Sequence, residues 1–439
     1  MHIKTQYCVI QTLNKFFVII MKEFEKYSIL VFVLTMLGNI SNYFFQIVMG
    51  RMLEVDRFGI LNSLNSFYVI ISMPVSVILI VVSKYVSENK TLNKNINSLL
   101  KTFFFYVFMF LIFFISCGIA LSGFIASFIN VESKILVSLV IIAAGFGLIL
   151  PVTTGGLQGE KKFFAFGIVN LVFPLTKLFG SIIFVLLGLE LNGIILSLTL
   201  GNIFAILFGL WFLKLDFKPS LEKINFKFSV KALQFVWITF LANVGMTIFT
   251  NIDVIIVKHY FSDEVTGFYS VASILGKIIL YISTAIVFVM FPFITEASVK
   301  KDDVNKILKK ALLYGGGLSA LCALGLNVLT KQVILILFGS KYINSAIYIL
   351  PVSLWVIIIS FINILTSYFL AINYAKLLSV SLAIGCLISF VLFYFIHTEI
   401  LQIIYVLTAV SFGILITAIL SVFMRHDSFK NYFTKKQGN

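Results

Sequence analysis

The amino-acid sequence predicts an all-α polytopic membrane protein with twelve transmembrane helices, and its composition and its long apolar stretches carry that prediction. The 439 residues are 60% hydrophobic and only 12% charged, whereas a soluble domain is about half apolar and about one quarter charged. Apolar stretches of roughly 20 residues recur, and each could cross a hydrocarbon core of about 30 Å. They are too long and too uniform for β-barrel strands, which alternate in polarity over about ten residues.

Short polar breaks, such as 157–162 and 397–400, divide the apolar stretches into separate spans. Within the second span, Pro74 predicts a kink. The twelve predicted spans, in chain order, are 28–50, 58–82, 102–126, 135–157, 163–187, 192–213, 232–257, 267–293, 311–330, 345–371, 377–396 and 400–423.

The distribution of basic residues predicts the orientation of the chain. If the N-terminus is cytoplasmic, the inner segments contain 25 of the 33 lysines and arginines, the outer segments contain six, and two lie inside spans. Cytoplasmic loops of membrane proteins carry such an excess, so both termini are expected inside. The net charge of +15 is then explained by loops beside anionic lipids, without nucleic acid. The six outer residues are Arg51, Arg57, Lys134, Lys258, Lys331 and Lys341.

Two halves of six spans each are predicted on either side of the longest polar connection, residues 214–231. Gly59 and Gly267 occupy matching positions after spans one and seven, where a tight reversal at the membrane surface would favour glycine. Two halves with the same orientation are typical of transporters. The predicted parts are a cytoplasmic segment 1–26, a bundle 27–213, a cytoplasmic linker 214–231, a bundle 232–424 and a cytoplasmic tail 425–439. Within residues 1–26, either translation starts at Met21, so that residues 1–20 are not part of the natural protein, or the segment forms an amphipathic surface helix.

Five predicted spans carry polar residues close to one helical face. In span one, Asn39 and Asn42 belong to a stripe with the spacing i, i+4, i+7, i+11, and Asn170 and Lys177 belong to a stripe of the same spacing in span five. Interhelical hydrogen bonds explain any single residue of this kind, but five stripes together favour a hydrated cavity between two bundles. The stripes are Thr35, Asn39, Asn42 and Gln46; Asn62, Asn65, Ser66, Ser72 and Ser76; Asn170, Pro174, Lys177 and Ser181; Asn243, Thr247, Thr250 and Asn251; and Ser270, Ser273, Lys277 and Thr284.

Two lysines lie inside predicted spans, Lys177 near the centre of span five and Lys277 in span eight. A lysine at the centre of a transmembrane helix costs about 2.5–3.5 kcal/mol on insertion scales. A cation that faces a cavity and receives an anion is the functional interpretation, and pairing with a carboxylate or a carbonyl is the structural one. Asp253, near the outer end of span seven, could pair with Lys258 or Lys277, or could bind a coupling ion.

Three segments resemble the polysaccharide-repeat, or lipid-linked oligosaccharide (Wzx-type), flippases of the multidrug/oligosaccharidyl-lipid/polysaccharide exporter superfamily. The segments are GRMLEVDRFGILNSL (50–64), NIDVIIVKHYFSDEVTGFYSVASIL (251–275) and FPFITEASVKKDD (291–303). This resemblance implies two six-helix bundles around a central, often cationic, cavity with alternating access. It also implies that the substrate carries sugars on a polyprenyl diphosphate, which would attract the ammonium groups of Lys177 and Lys277 strongly at low dielectric.

The predicted function is therefore a flippase for lipid-linked oligosaccharides in a bacterial cytoplasmic membrane. The expected partners are the glycan lipid, membrane lipids and other membrane proteins of polysaccharide assembly, with no nucleic acid. A cation-coupled drug or metabolite exporter of the same superfamily is the alternative. A membrane enzyme is a third hypothesis, but the short outer loops contain no paired acids, and the four Cys and four His show no ligand spacing; no cofactor or metal is expected. The predicted substrate-binding residues are Lys177, Lys277, Asn39, Asn42, Asn170 and Asn251, with Asp253 assigned to ion pairing or ion coupling.

Overall fold

A computed structural model of the chain describes residues 30–31, 33–92, 95–215, 230–300 and 303–437, and these ranges are helical without a β-strand. Side chains are described for all of these residues except 230–236, 299 and 424–437. The helices are α1 (33–52), α2 (Val55–Ile71), α3 (Pro74–Thr91), α4 (Ile96–Ile129), α5 (Lys134–Gly159), α6 (Phe163–Leu186), α7 (Glu190–Leu213), α8 (Val230–Phe249), α9 (Ile252–Tyr260), α10 (Asp263–Lys300), α11 (Val304–Val328), α12 (Thr330–Leu337), α13 (Ala346–Ala371), α14 (Lys376–Phe395) and α15 (Ile400–Gln437), with a 3₁₀ helix at Ser340–Ser345.

Ten helices in the described ranges are long and apolar enough to cross a membrane, and they coincide with predicted spans two to six and eight to twelve. Span seven corresponds to a pair of helices, Trp237–Phe249 and Ile252–Tyr260, bent by 42° at a short break; counted as one span, the pair raises the number to eleven. Span one lies partly outside the described residues. The membrane-protein fold class is therefore confirmed, while the count of twelve is not.

The predicted kink in span two is a break between two helices at Pro74. The α2 helix ends at Ile71, where the backbone N–H of Ser72 donates to the Tyr68 carbonyl and that of Met73 donates to the Ile70 carbonyl, and α3 begins at Pro74. Proline lacks the N–H of a helix interior but suits the first position of a helix. Proline therefore stands at the position of α3 where its missing N–H is tolerated.

The described chain divides into two compact units. Unit 1 falls within Met1–Gln46, Pro74–Ile119 and Leu139–Asn225, and unit 2 falls within Ile47–Met73, Ala120–Ser138 and Phe226–Asn439. This grouping differs from a sequential boundary near residue 213, because residues 47–73 and 120–138 pack with the C-terminal helices. The sequential division into bundles 27–213 and 232–424 remains a prediction.

In unit 1, α1 runs parallel to α6. A Cβ atom built on Gly167 would lie 2.4 Å from Leu34, and one on Gly38 would lie 3.4 Å from Pro174. The order of these contacts rises along both helices, as expected for two odd-numbered spans. Small residues also let α6 approach α7, since a Cβ on Gly180 would lie 2.9 Å from the Cβ of Ser197.

In unit 2, Gly59 and Gly267 lie inside helices, so the tight reversals predicted at these positions are wrong. Neither residue has a positive φ. A Cβ on Gly59 would lie 2.4 Å from the carbonyl oxygen of Asp263, and a Cβ on Gly267 would lie 2.1 Å from that of Val55. Glycine is required because the backbones of α2 and α10 touch, so the two matching positions of the halves meet at one helix crossing.

Candidate functional site

Lys177 lies inside α6 and is buried, with 6% of its surface exposed. Its Nζ is 4.0 Å from the centre of the Phe45 ring of α1. An ammonium group over an aromatic face is attracted by the ring quadrupole. The sequence predicted the buried cation, but it did not reveal Phe45, which lies outside the polar stripe of α1.

Hydroxyl groups connect the backbone beside Lys177 to α7. The Ser197 Oγ contacts the Ser181 Oγ at 2.6 Å and lies 3.3 Å from the Lys177 carbonyl and 2.6 Å from the Ile194 carbonyl. Both serines are fully buried. Small side chains on α6 and α7 thus allow close packing, and their hydroxyls fix the part of α6 that carries the lysine.

The three predicted asparagines of unit 1 occupy different surroundings. Asn39 is exposed, and Asn42 and Asn170 are half-buried. The Asn170 amide donates to the Phe166 carbonyl one turn earlier, at 2.8 Å. Within the described part of the chain, the side chains of Asn39 and Asn42 make no hydrogen bond to protein.

In unit 2, Asp253 is fully buried in the first turn of α9. Its carboxylate accepts hydrogen bonds from the Ser273 hydroxyl at 2.5 Å, the Tyr269 hydroxyl at 3.2 Å and the Lys277 ammonium at 3.4 Å. The three donors follow one another every four residues and therefore share one face of α10. A carboxylate at a helix N-terminus is also favoured by the helix dipole. Tyr269 was not predicted, although its spacing from Ser273 and Lys277 is visible in the sequence.

Two lysines were considered as partners of Asp253, and one of them contacts it in this structure. Lys277 forms the ion pair with Asp253, and its side chain keeps 19% of its surface exposed. Lys258 is fully buried and pairs with Asp263 instead, at 2.5 Å.

Asn251 occupies the break between α8 and α9. Its amide donates to the Thr247 carbonyl at 2.9 Å and to the Thr250 hydroxyl at 3.1 Å, while Thr250 donates to the Met246 carbonyl at 2.9 Å. Asn251 is thus engaged with the end of α8 in this structure. Lys177 with Asn39, Asn42 and Asn170 belongs to unit 1, whereas Lys277, Asp253 and Asn251 belong to unit 2.

In the described ranges, no group of three or more His, Cys, Asp and Glu residues is arranged to hold a metal ion. The clusters around Lys177 and Asp253 provide hydrogen bonds and charges. Those interactions suit the recognition of a polar or anionic ligand.

Comparison with known proteins gives the family. The family model described as "Polysaccharide biosynthesis protein" matches residues 48–347, more than half of the chain. A curated protein of Haloferax volcanii, the "Probable low-salt glycan biosynthesis flippase Agl15", is 22% identical over 188 residues. That match spans 42% of this chain and 39% of the Agl15 protein, less than half of either.

Two solved structures share the fold. An inward-facing multidrug resistance MATE family transporter of the MOP superfamily has a TM-score of 0.71 and 12% identity, over 90% of this chain and 96% of that one. The lipid II flippase MurJ in an inward closed conformation has a TM-score of 0.67 and 16% identity, over 90% of this chain and 87% of that one. The resemblance to polysaccharide-repeat flippases is thus confirmed at the level of the family. The chain belongs to the polysaccharide biosynthesis protein family, and its fold is that of the MOP-superfamily membrane transporters.

Proposed function

We propose that the chain is a flippase that moves oligosaccharide repeat units linked to polyprenyl diphosphate across the cytoplasmic membrane by alternating access, for surface polysaccharide synthesis. The family match supports a role in polysaccharide biosynthesis, and the fold supports transport. The observation that carries the choice of an anionic lipid-linked substrate is the buried ammonium group of Lys177 against the Phe45 ring.

The position and charge of Lys177 suit the binding of an anion. A lysine at the centre of a transmembrane helix costs about 2.5–3.5 kcal/mol, and a cation–π contact returns about 0.5–2 kcal/mol. The Phe45 ring is thus one of the groups that offset the cost of placing the charge here. A diphosphate would interact with the ammonium group much more strongly in a medium of low dielectric constant.

The asparagines of unit 1 are proposed to hydrogen-bond the sugars or the diphosphate. Asn39 and Asn42 have amides that are not used by other described residues, and Asn170 has an acceptor oxygen besides the amide that bonds to Phe166. Amide groups donate and accept at once, as sugar hydroxyls require. Asn251 is proposed to act in the same way once the contacts at the end of α8 rearrange.

Lys277 is proposed as a second cation for the substrate, in exchange with Asp253. In this structure its charge is compensated by the carboxylate. Because Ser273 and Tyr269 also donate to that carboxylate, Asp253 would remain hydrogen-bonded if Lys277 turned toward a phosphate. Asp253 is accordingly assigned to ion pairing, and a coupling ion that replaces the ammonium group is the other proposal.

The second candidate function is a cation-coupled exporter of drugs or metabolites, supported by the buried acid Asp253 and by the fold shared with a multidrug resistance transporter. Such an exporter would use acidic residues to bind cationic substrates. In this structure the Asp253 charge is already compensated by Lys277, and the Lys177 charge would repel a cation. These charges favour the flippase.

Deletion of the gene separates the two functions. A flippase mutant should lose surface glycan and accumulate the lipid-linked precursor on the cytoplasmic side, with normal drug sensitivity. Intact glycan together with increased drug sensitivity would instead support the exporter. The proposed location is the bacterial cytoplasmic membrane with both termini inside. The proposed partners are the lipid-linked glycan, membrane lipids and other membrane proteins of polysaccharide assembly.

A further inference from the structure

At one end of unit 2, three helix C-termini receive side-chain cations from segments far away in the sequence. The helices are α1, α4 and α12, whose final carbonyl groups have no partner within their own helix. The cations belong to Arg51, Lys258 and Lys341, three of the six basic residues predicted to lie outside. Cations at helix C-termini are favoured by the unpaired carbonyls and by the helix dipole.

Arg51 and Lys341 cap each other's segments. Arg51, at the end of α1, donates from Nε to the Leu337 carbonyl at 2.9 Å and from Nη2 to the Ile336 carbonyl at 2.5 Å, both at the end of α12. Lys341, just after α12, donates to the Arg51 carbonyl at 3.3 Å and to the Leu53 carbonyl. Two segments almost 290 residues apart are thus joined in both directions.

An aromatic cluster lies beside this pair of caps. Phe58 of α2, Phe338 and Tyr342 have ring centres 5.6–6.1 Å apart. All three side chains are almost fully buried. The three rings bury apolar surface at this contact, and the four hydrogen bonds from Arg51 and Lys341 to carbonyl oxygens fix its position.

A second connection joins the end of α4 to the end of α9. The Lys258 ammonium donates to the Asn130 carbonyl, and the His259 ring donates to the Phe128 carbonyl. The buried Lys258 also pairs with Asp263 in the first turn of α10. Asp263 provides the carbonyl that faces Gly59 of α2, so this connection leads directly to the crossing of α2 and α10.

We propose that Arg51, Lys258 and Lys341 form a cation latch that holds this end of unit 2 closed and that releases during transport. Carbonyl oxygens bind Arg51 and Lys341 at the ends of α1 and α12, and water can replace these oxygens when the segments part. At Gly59 and Gly267 the backbones of α2 and α10 meet directly, beside the Val55 side chain, so release of the latch would act on this crossing. The latch therefore sets how readily this end opens, whatever substrate the chain carries.

The test measures the access of water-soluble reagents to a cysteine behind the latch. Ser270 is fully buried in α10, one turn beyond Gly267. Ser270→Cys is introduced after Cys8, Cys117, Cys322 and Cys386 are replaced, and the protein is treated in lipid nanodiscs with a charged maleimide. We expect slow labelling in the parent. Labelling should be roughly threefold to tenfold faster when Arg51→Met and Lys341→Met are combined. This factor corresponds to the free energy lost when two exposed helix C-termini lose their capping cations.

Three controls make the outcome decisive. Lys331→Met removes a cation of α12 whose side chain makes no hydrogen bond or ion pair within the described residues, and this variant should be labelled at the same rate as the parent. Arg51→Lys combined with Lys341→Arg retains both cations and should stay within about twofold of the parent. Gly59→Leu prevents the close crossing of α2 and α10, and its cysteine should be labelled fastest of all the variants.

Two results would overturn the latch. The first is equal labelling of the parent and the Met double variant while Gly59→Leu opens the site. The second is an equal increase in labelling rate, caused by the Met double variant, at Ser360→Cys, a fully buried position in α13. Such an increase would mean that the whole protein loosens, instead of opening at one end.

Discussion

Lys277 is the most distant of the three hydrogen-bond donors around the Asp253 carboxylate. Its ammonium lies 3.4 Å from the nearer oxygen, whereas the Ser273 hydroxyl lies at 2.5 Å. A close pair of ammonium and carboxylate usually has about 2.7–2.9 Å between nitrogen and oxygen. The shorter hydrogen bonds from the Ser273 and Tyr269 hydroxyls therefore position the carboxylate, and Lys277 mainly compensates its charge.

The first prediction concerns that charge compensation. Lys277→Met leaves a fully buried carboxylate with two neutral donors, and we expect it to lower the free energy of unfolding by about 1–3 kcal/mol. Adding Asp253→Asn should restore much of the loss, because no buried charge then remains. Thermal unfolding in detergent measures both, with Lys331→Met as the exposed control. A double variant less stable than Lys277→Met would contradict this explanation.

The second prediction concerns Lys177 in transport. We expect Lys177→Met, which keeps the length of the side chain and removes its charge, to reduce surface glycan at least about tenfold, corresponding to about 1.4 kcal/mol of lost substrate interaction. Lys177→Arg should retain most export. The readouts are surface glycan and accumulated lipid-linked precursor at matched amounts of protein in the membrane. Equal export by the Met and Arg variants would remove the anion-binding role of this residue.

The helical fold was predictable because a lipid bilayer imposes one constraint on every segment that crosses it. A spanning segment must satisfy its own backbone hydrogen bonds, so long apolar stretches become helices. The break between α8 and α9 was not predictable in this way, since neither proline nor glycine occupies it. Thr250 and Asn251 end α8 through side chains that donate hydrogen bonds to carbonyls one turn earlier. Side chains of this kind compete with the backbone hydrogen bonds of a helix, but their presence in a sequence is only a weak signal that a helix ends.

The buried charges of the candidate site were predictable, because charged residues are unusual in a transmembrane helix, whereas the residues that contact those charges were not. Lys177 and Asp253 are costly wherever they are buried, and the structure buries both. Phe45 and Tyr269 are ordinary in an apolar helix, and their importance comes from contacts with another helix. Helical periodicity identifies one face of one helix, so contacts between helices require the packed structure.

The third prediction tests whether Phe45 holds the Lys177 charge. Phe45→Leu removes the aromatic face but keeps an apolar side chain, and we expect it to cost about 0.5–2 kcal/mol more when Lys177 is present than in a Lys177→Met background. The difference isolates the cation–π contact from the general loss of packing volume. Unfolding of the four proteins under the same detergent conditions provides the measurement. Equal costs in both backgrounds would show that Phe45 acts only by packing.

The fourth prediction separates close helix packing from the general flexibility of glycine. At Gly267 a Cβ atom would lie 2.1 Å from the Val55 carbonyl oxygen, whereas nothing lies within 4 Å of a Cβ at Gly317 in α11. We expect Gly267→Ala to destabilise by about 1–3 kcal/mol, because the backbones of α2 and α10 must separate. Gly317→Ala should instead stabilise by about 0.5–1 kcal/mol, since alanine loses less entropy in a helix. Similar unfolding temperatures for the two variants would mean that α2 and α10 do not touch at Gly267.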